Sequence, residues 1–306
     1  MNNIINNIVK QSLVSIFLAA ASLSAHAAVS VLACEPEWEA LTVELGGDKV
    51  KVSSATNALQ DPHRIEARPG LIARTRNADL IVCTGLELET GWLPVLVQQS
   101  GNAKIAAGQP GNFVAGSFVP RLDVPAKLDR SEGDVHASGN PHIQQNPHNI
   151  ALVAAALSKR LAEIDPANAA HYQVRYKDFS GRWNAAMLKW EQQAAPLRNV
   201  AVVEHHKNME YLMNWLGLRQ VGTLEAKPGV EPSAAQLGQL LSQLQGQPAK
   251  MVLRAAYQDA RASNWLSEHA RIPAVVLPFT VGADAQSKDL FAMFDTTVQR
   301  LLAAAK

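Results

Sequence analysis

Short apolar, β-prone runs alternate with segments of helical spacing in two separate stretches of this chain. That alternation, more than anything else in the sequence, narrows the folds open to it. In the first stretch Val29 to Ala33, Val50 to Ser53 and Ala78 to Cys83 read as strands. Glu37 to Leu45 and a segment through Leu71 to Asn77 carry helical spacing between them. In the second, strands at Val200–Val203, Gln220–Leu224, Met251–Ala255 and Ala274–Leu277 alternate with helices at Asn208–Leu216, Ala234–Gln245 and Ala260–His269, and a helix from Lys288 to Ala304 closes the chain. Strand–helix–strand rhythm of this kind is the signature of parallel βα units, whose ligand-carrying loops lie at the C-terminal ends of the strands. Between the two stretches a long helical pattern runs from Ala167 to Ala195. Its Tyr172, Tyr176, Phe179, Trp183, Met187 and Trp190 recur every three or four positions, the spacing of a packing face. The expectation is an α/β protein of two lobes, residues 29–165 and 196–306, joined by one long rigid helix over 166–195. The binding site would then lie in the cleft between the lobes. Residues 108–139 read as loop-like, with proline and glycine interrupting short strands.

Residues 1–28 have the form of a cleavable signal peptide. Lys10 is their only charge, an apolar run spans Leu13 to Leu23, and Ala25-His26-Ala27 offers a small-x-small exit. The run is shorter than the about 20 residues that cross a bilayer. Val31-Leu32-Ala33-Cys34 loosely resembles a lipoprotein processing box, but it lies well past the apolar run and reads better as a strand. The class expected is an exported, periplasmic, monomeric protein. With 28 basic against 27 acidic residues there is no electrostatic footprint for nucleic acid or a membrane surface. In an oxidising compartment the two cysteines, Cys34 and Cys83, are candidates to pair. They fall at equivalent ends of two strands that, if adjacent and parallel, lie close enough for a bridge.

Three histidines stand in short polar turns far apart in sequence: His63 in Asp61-Pro62-His63, His142 in Asn140-Pro141-His142, and His206 in His205-His206-Lys207. His63 follows the second strand, His206 follows Val200–Val203, and His142 leads into the helix after Pro147, so all three fall where a cleft would be. Converging neutral imidazoles suit Zn²⁺ better than Mg²⁺ or Ca²⁺.

These motifs, in this order, resemble the zinc- and manganese-type solute-binding proteins of bacterial ABC importers over nearly all of residues 29–306. The further matching residues are Ala78-Asp79-Leu80-Ile81-Val82 before Gly85-Leu86-Glu87-Leu88-Glu89 and Trp92-Leu93, then Asn146-Pro147, Asp165-Pro166-Ala167-Asn168 with Tyr172, Tyr211-Leu212, and Val230-Glu231-Pro232-Ser233. The resemblance assigns metal binding to His63, His142 and His206, choosing His206 over His205 by the spacing to Tyr211. It also implies an ABC permease as partner. Two departures stand out. The family's usual fourth ligand, an Asp after the last strand, is replaced in Val275-Val276-Leu277-Pro278-Phe279, where Leu277 holds the expected position. Water, Asp284, Glu87 or Glu89 are the candidates left for that corner. The long His- and acid-rich loop of many zinc members is also absent, with only Asp134, His136, His142 and His148 hinting at one.

The function expected is capture of Zn²⁺ for delivery to the permease, with Mn²⁺ or another divalent transition metal as second choice. An exported zinc-dependent hydrolase, or an adhesin or scaffold with structural metal, is the alternative. The chain lacks His-Glu-x-x-His and a Gly-x-Ser-x-Gly elbow.

Overall fold

The computed structural model describes residues 27–127, 133 and 136–306. The signal segment expected at 1–28 lies outside the described residues except for its last two positions, and Asp134 lies outside them as well.

The first lobe is a parallel sheet of order β2-β1-β3-β4, with β1 at Val29–Ala33, β2 at Val50–Ser54, β3 at Leu80–Cys83 and β4 at Asn112–Val114. Helices α1 (Pro36–Gly46), α2 (Pro69–Arg76) and α3 (Leu93–Ser100) connect its strands. Each begins with proline in its first turn, where the missing N–H costs nothing. Strand β4 falls inside the loop-like stretch and is one of the short strands read there. It is three residues long and pairs, among the described residues, with β3 alone; its bounds are too close together for periodicity to fix. Helix α4 (Pro147–Ile164) is capped by the Asn146 side chain, which accepts from the His148 N–H at 2.9 Å.

The second lobe repeats the plan with order β6-β5-β7-β8: β5 at Ala201–Glu204, β6 at Arg219–Thr223, β7 at Met251–Ala255 and β8 at Ala274–Leu277. Helices α6 (Glu210–Leu216), α7 (Ala234–Gly246), α8 (Arg261–Ala270) and α9 (Leu290–Ala305) flank it. Ser233 and Gln236 form a reciprocal capping box at the start of α7.

Helix α5 (Ala169–Ala194), extended by a 3₁₀ turn at each end, runs between the lobes. Its aromatic stripe is a packing face, as the spacing predicts. Trp183 packs on Phe179, Trp190, Phe291 and Phe294 with ring centroids 4.9–5.6 Å apart, its indole N–H donating to the Pro147 carbonyl. One apolar cluster runs without a break from β1 and β3 through α4 and α5 to β5, β7, β8 and α9. Separate clusters fill the outer faces of the two sheets. The lobes therefore share a core instead of hinging across an empty cleft. Burial of an apolar side chain stabilises by about 1.5–3 kcal/mol, so large opening of the lobes would expose much of that shared surface. A buried polar tie adds to it: the Thr280 hydroxyl, after β8, donates to the Glu37 carboxyl on α1. Among the described residues no helix is long and apolar enough to cross a membrane.

Cys34 and Cys83 are disulfide-bonded, with Cα atoms 4.8 Å apart. The reason is register: Ala33 pairs with Val82 on adjacent parallel strands, which sets the next residues side by side.

Candidate metal centre

Each histidine is placed by its own turn. After β2 the Asp61 carboxylate accepts from the His63 backbone N–H at 3.0 Å and meets its Nδ1 at 2.8 Å. The Trp92 indole donates to the Pro62 carbonyl at 2.9 Å and clamps the turn from the other side. Gly91 passes so close that a Cβ there would lie 3.1 Å from the His63 carbonyl. In the second turn the Asn140 side-chain oxygen accepts from the His142 N–H at 3.0 Å, while its amide donates to the Lys207 carbonyl at 3.0 Å. That bond joins the His142 turn to the His206 turn across the cleft. Tyr211 reinforces it, its hydroxyl donating to the Asn140 carbonyl and accepting from the Leu122 N–H. His206 follows β5, whose neighbour β6 delivers Glu225 to the same level. The His206 Nδ1 lies 2.7 Å from the Glu225 carboxylate.

The three rings converge. One ligand atom from each of His63, His142 and His206 lies within 4.8 Å of the other two. Ring centroids stand 5.4, 6.1 and 5.9 Å apart. Two imidazoles bound through nitrogens at about 2.0–2.1 Å to one tetrahedral ion would stand about 5.2 Å apart, so the cluster needs only a small contraction to hold one. Carboxylates at Nδ1 of His63 and His206 fix the tautomer that leaves Nε2 as the donor. Nε2 of His63 is buried with no hydrogen-bond partner, as is Nδ1 of His142, which suits atoms placed for a ligand. Burial, and then the neighbouring His63, His206 and His136 charges, holds His142 well below the ordinary imidazole range, so it stays neutral. Asp61 is lowered although burial opposes it, because His63 hydrogen-bonds and attracts its charged form. The cluster opens outward into a cavity of about 240 Å³ whose lining includes Asp61, Glu225, Glu231 and Asp259. A rim rich in carboxylates draws cations inward.

The candidates for a fourth corner are engaged elsewhere. Asp284 bonds Arg300 at 2.6 Å and Ser287 at 3.1 Å. Glu89 accepts from the Thr84 and Gly85 N–H groups at 2.7 and 3.0 Å. Glu87 accepts from the Ala137 N–H and the Ser138 hydroxyl at 2.9 and 3.3 Å. From the segment after β8, the side chain against His142 is Phe279, its ring 5.3 Å away edge-on, and Leu277 is buried in the core. An aromatic ring two residues beyond Leu277 therefore lies against the cluster on this side. His148 is exposed and pairs with Glu191 at 2.7 Å, away from the cluster. His205 is buried with its Nε2 3.6 Å from Glu225. His136 stacks on His63 with centroids 5.3 Å apart. Sequence reading missed Glu225; the available signal was a carboxylate just beyond a strand parallel to β5, which His206 follows.

Two parallel α/β lobes on a stiff helix, with imidazoles converging between them, define a solute-binding protein of the metal-ion type. The chain belongs to the family described as ZnuA: Zinc-uptake complex component A periplasmic, which matches residues 31–304. It is 24% identical over 254 residues to the manganese ABC transporter substrate-binding lipoprotein PsaA of Streptococcus pneumoniae serotype 4, covering 81% of this chain and 79% of that one. A crystal structure of ZnuA superposes with a TM-score of 0.76 at 22% identity, covering 91% of this chain and 100% of that one. A cadmium-bound periplasmic metal binding protein from Candidatus Liberibacter asiaticus gives a TM-score of 0.73 at 16% identity, covering 90% and 99%. Members of this family are substrate-binding components of ABC importers and work with a membrane permease.

Proposed function

We propose that this protein captures Zn²⁺ through His63, His142 and His206 and delivers it to an inner-membrane ABC permease, acting as a periplasmic monomer exported by a cleavable signal peptide. The observation that carries the reading is the convergence of three imidazole donors within 4.8 Å with no carboxylate among them. Nitrogen donors favour Zn²⁺ over the harder Mn²⁺, which prefers more oxygen. Manganese, in the name of the streptococcal relative, is the second choice. Lipid anchoring through Cys34 is disfavoured because its sulfur is buried and bonded to Cys83.

Capture needs no chemistry beyond exchange of the ion's water for imidazole. Asp61 and Glu225 hold Nδ1–H, Nε2 of His63 and His206 faces the ion, and the shared core limits closure to small adjustments. The test is metal analysis of protein purified without chelator, with Zn²⁺ titration of His63→Ala, His142→Ala and His206→Ala. Each variant is expected to lose binding by on the order of 10²-fold or more, beyond the range typical of supporting residues. His171→Ala, whose ring bonds the Gly46 carbonyl, is expected to bind like the parent. Parental affinity in all three site variants would overturn the assignment.

A further inference from the structure

We propose that His136 is the fourth protein donor to the captured ion, making the centre a four-imidazole site; the inference rests on the metal-binding reading above. Three independent observations converge on this residue.

The first is position. The His136 ring stands 5.3 Å from His63 and 6.4 Å from His142. The three pairs among His63, His142 and His206 span 5.4–6.1 Å. Against the about 5.2 Å of a tetrahedral pair, His136 is nearly at bonding separation from His63 and about 1 Å long to His142. It lies outside the set of three whose ligand atoms fall within 4.8 Å of one another, so loading draws it inward.

The second is support. Glu87 receives hydrogen bonds from Ala137 and Ser138, the two residues after His136. Both Leu86 and Glu87 adopt positive φ, 53° and 71°, a conformation costly for residues with a Cβ and found where surrounding structure imposes it. Three residues before His136, the backbone of Gly133 packs on the second lobe, so that a Cβ there would lie 2.3 Å from the Pro228 carbonyl. His136 thus lies beside a turn held from the first lobe, with its ring against those of His63 and His142.

The third is that the carboxylates around the site have other work. Asp61 and Glu225 hold the Nδ1 of two ligand rings, Glu87 holds the His136 turn, and Asp284 and Glu89 are bonded elsewhere. Phe279 walls the side after β8. A fourth imidazole keeps the donor set neutral and soft, which favours Zn²⁺ over Mn²⁺ further than three would.

The experiment is X-ray absorption at the zinc edge on the purified Zn²⁺-loaded protein, counting coordinated imidazoles, with Zn²⁺ affinity measured by chelator competition. The parent should show four imidazoles and His136→Ala three, with affinity lowered on the order of tenfold or more. His136→Asp should recover part of the affinity with a mixed nitrogen–oxygen sphere. Three imidazoles in both parent and His136→Ala would overturn the proposal. A fall in affinity with the imidazole count unchanged would overturn it equally, since His136 would then act only by packing. His206→Ala separates the two levels. If it abolishes binding while His136→Ala changes nothing, only the fourth-donor assignment falls. If neither variant alters binding, the metal site itself is misplaced.

Discussion

Glu225 Oε2 sits 2.7 Å from His206 Nδ1, and its other oxygen reaches to 3.6 Å from His205 Nε2. One carboxylate thus touches two successive histidines that leave β5, and it selects between them. His206 has its Nδ1 engaged and its Nε2 left for the cluster, whereas His205 faces Glu225 with the nitrogen that would otherwise bind. The Glu225→Gln variant should fold normally and lose Zn²⁺ affinity by about 10- to 100-fold, the scale of a lost partner behind a ligand. Titration calorimetry checks this, and parental affinity would show that the carboxylate is dispensable for orientation.

Metal binding requires neutral imidazoles, so protons compete with the ion. An imidazole at the reference value near 6.5 costs roughly tenfold in affinity between about pH 7.5 and 5.5. His142, kept neutral by burial and by the neighbouring histidines, costs less. Zn²⁺ affinity is therefore expected to fall by on the order of 10- to 100-fold over that interval, measured by titration at both values. A pH-independent affinity would argue against histidine ligands.

Glu37 is buried, and burial pushes its carboxyl up to about 7 against the opposing hydrogen bond from Thr280. Burial raises Glu89 to about 7, and it also raises Glu35, with the nearby Glu89 and Glu37 charges adding to the effect. A carboxyl raised in the fold lends stability that is complete below its unfolded value of about 4.3 and is lost as pH climbs through about 7. His142 and His205, lowered by burial, act with the opposite sign, so the informative quantity is variant minus parent. Glu37→Gln keeps an acceptor for Thr280 and should stabilise the metal-free protein by on the order of 1–3 kcal/mol at about pH 8 while being near neutral at about pH 5. Urea unfolding at the two values decides it; an equal difference at both would mean that Glu37 ionises as readily folded as unfolded.

The Cys34–Cys83 bridge closes a loop with a sequence separation of 49 residues. Such a cross-link restricts the unfolded chain and is worth about 2–4 kcal/mol. Reduction, or Cys34→Ser with Cys83→Ser, should lower the unfolding free energy by that amount. The non-reduced protein should show no reactive thiol under denaturing conditions; two reactive thiols there would contradict the bridge.

The three histidine turns were legible because each is local: Asp61 and Asn140 carry the side chain that accepts from the backbone N–H of the histidine two residues on, and His206 sits just past an apolar strand. The long helix and its packing stripe were readable from a single period, and strand alternation made Cys34 and Cys83 candidates to pair. Strand β4 was legible only as one of the short strands of a loop-like stretch, because three residues carry no period to fix its bounds, and nothing local told that Phe279, two residues past Leu277, would lie against His142.

The sequence by itself determined two βα lobes, the helix between them and three histidine turns, two after strands and one leading into a helix. Only the tertiary structure decided what surrounds those turns. Glu225 reaches His206 because β6 lies beside β5, Phe279 reaches His142 because the shared core brings β8's exit against the first lobe, and His136 reaches His63 because Glu87 holds its turn across some fifty positions. Local propensity and hydrogen bonding act over a few residues, so they write the turns into the sequence. Contacts made by strand order and core packing join residues that no local rule relates.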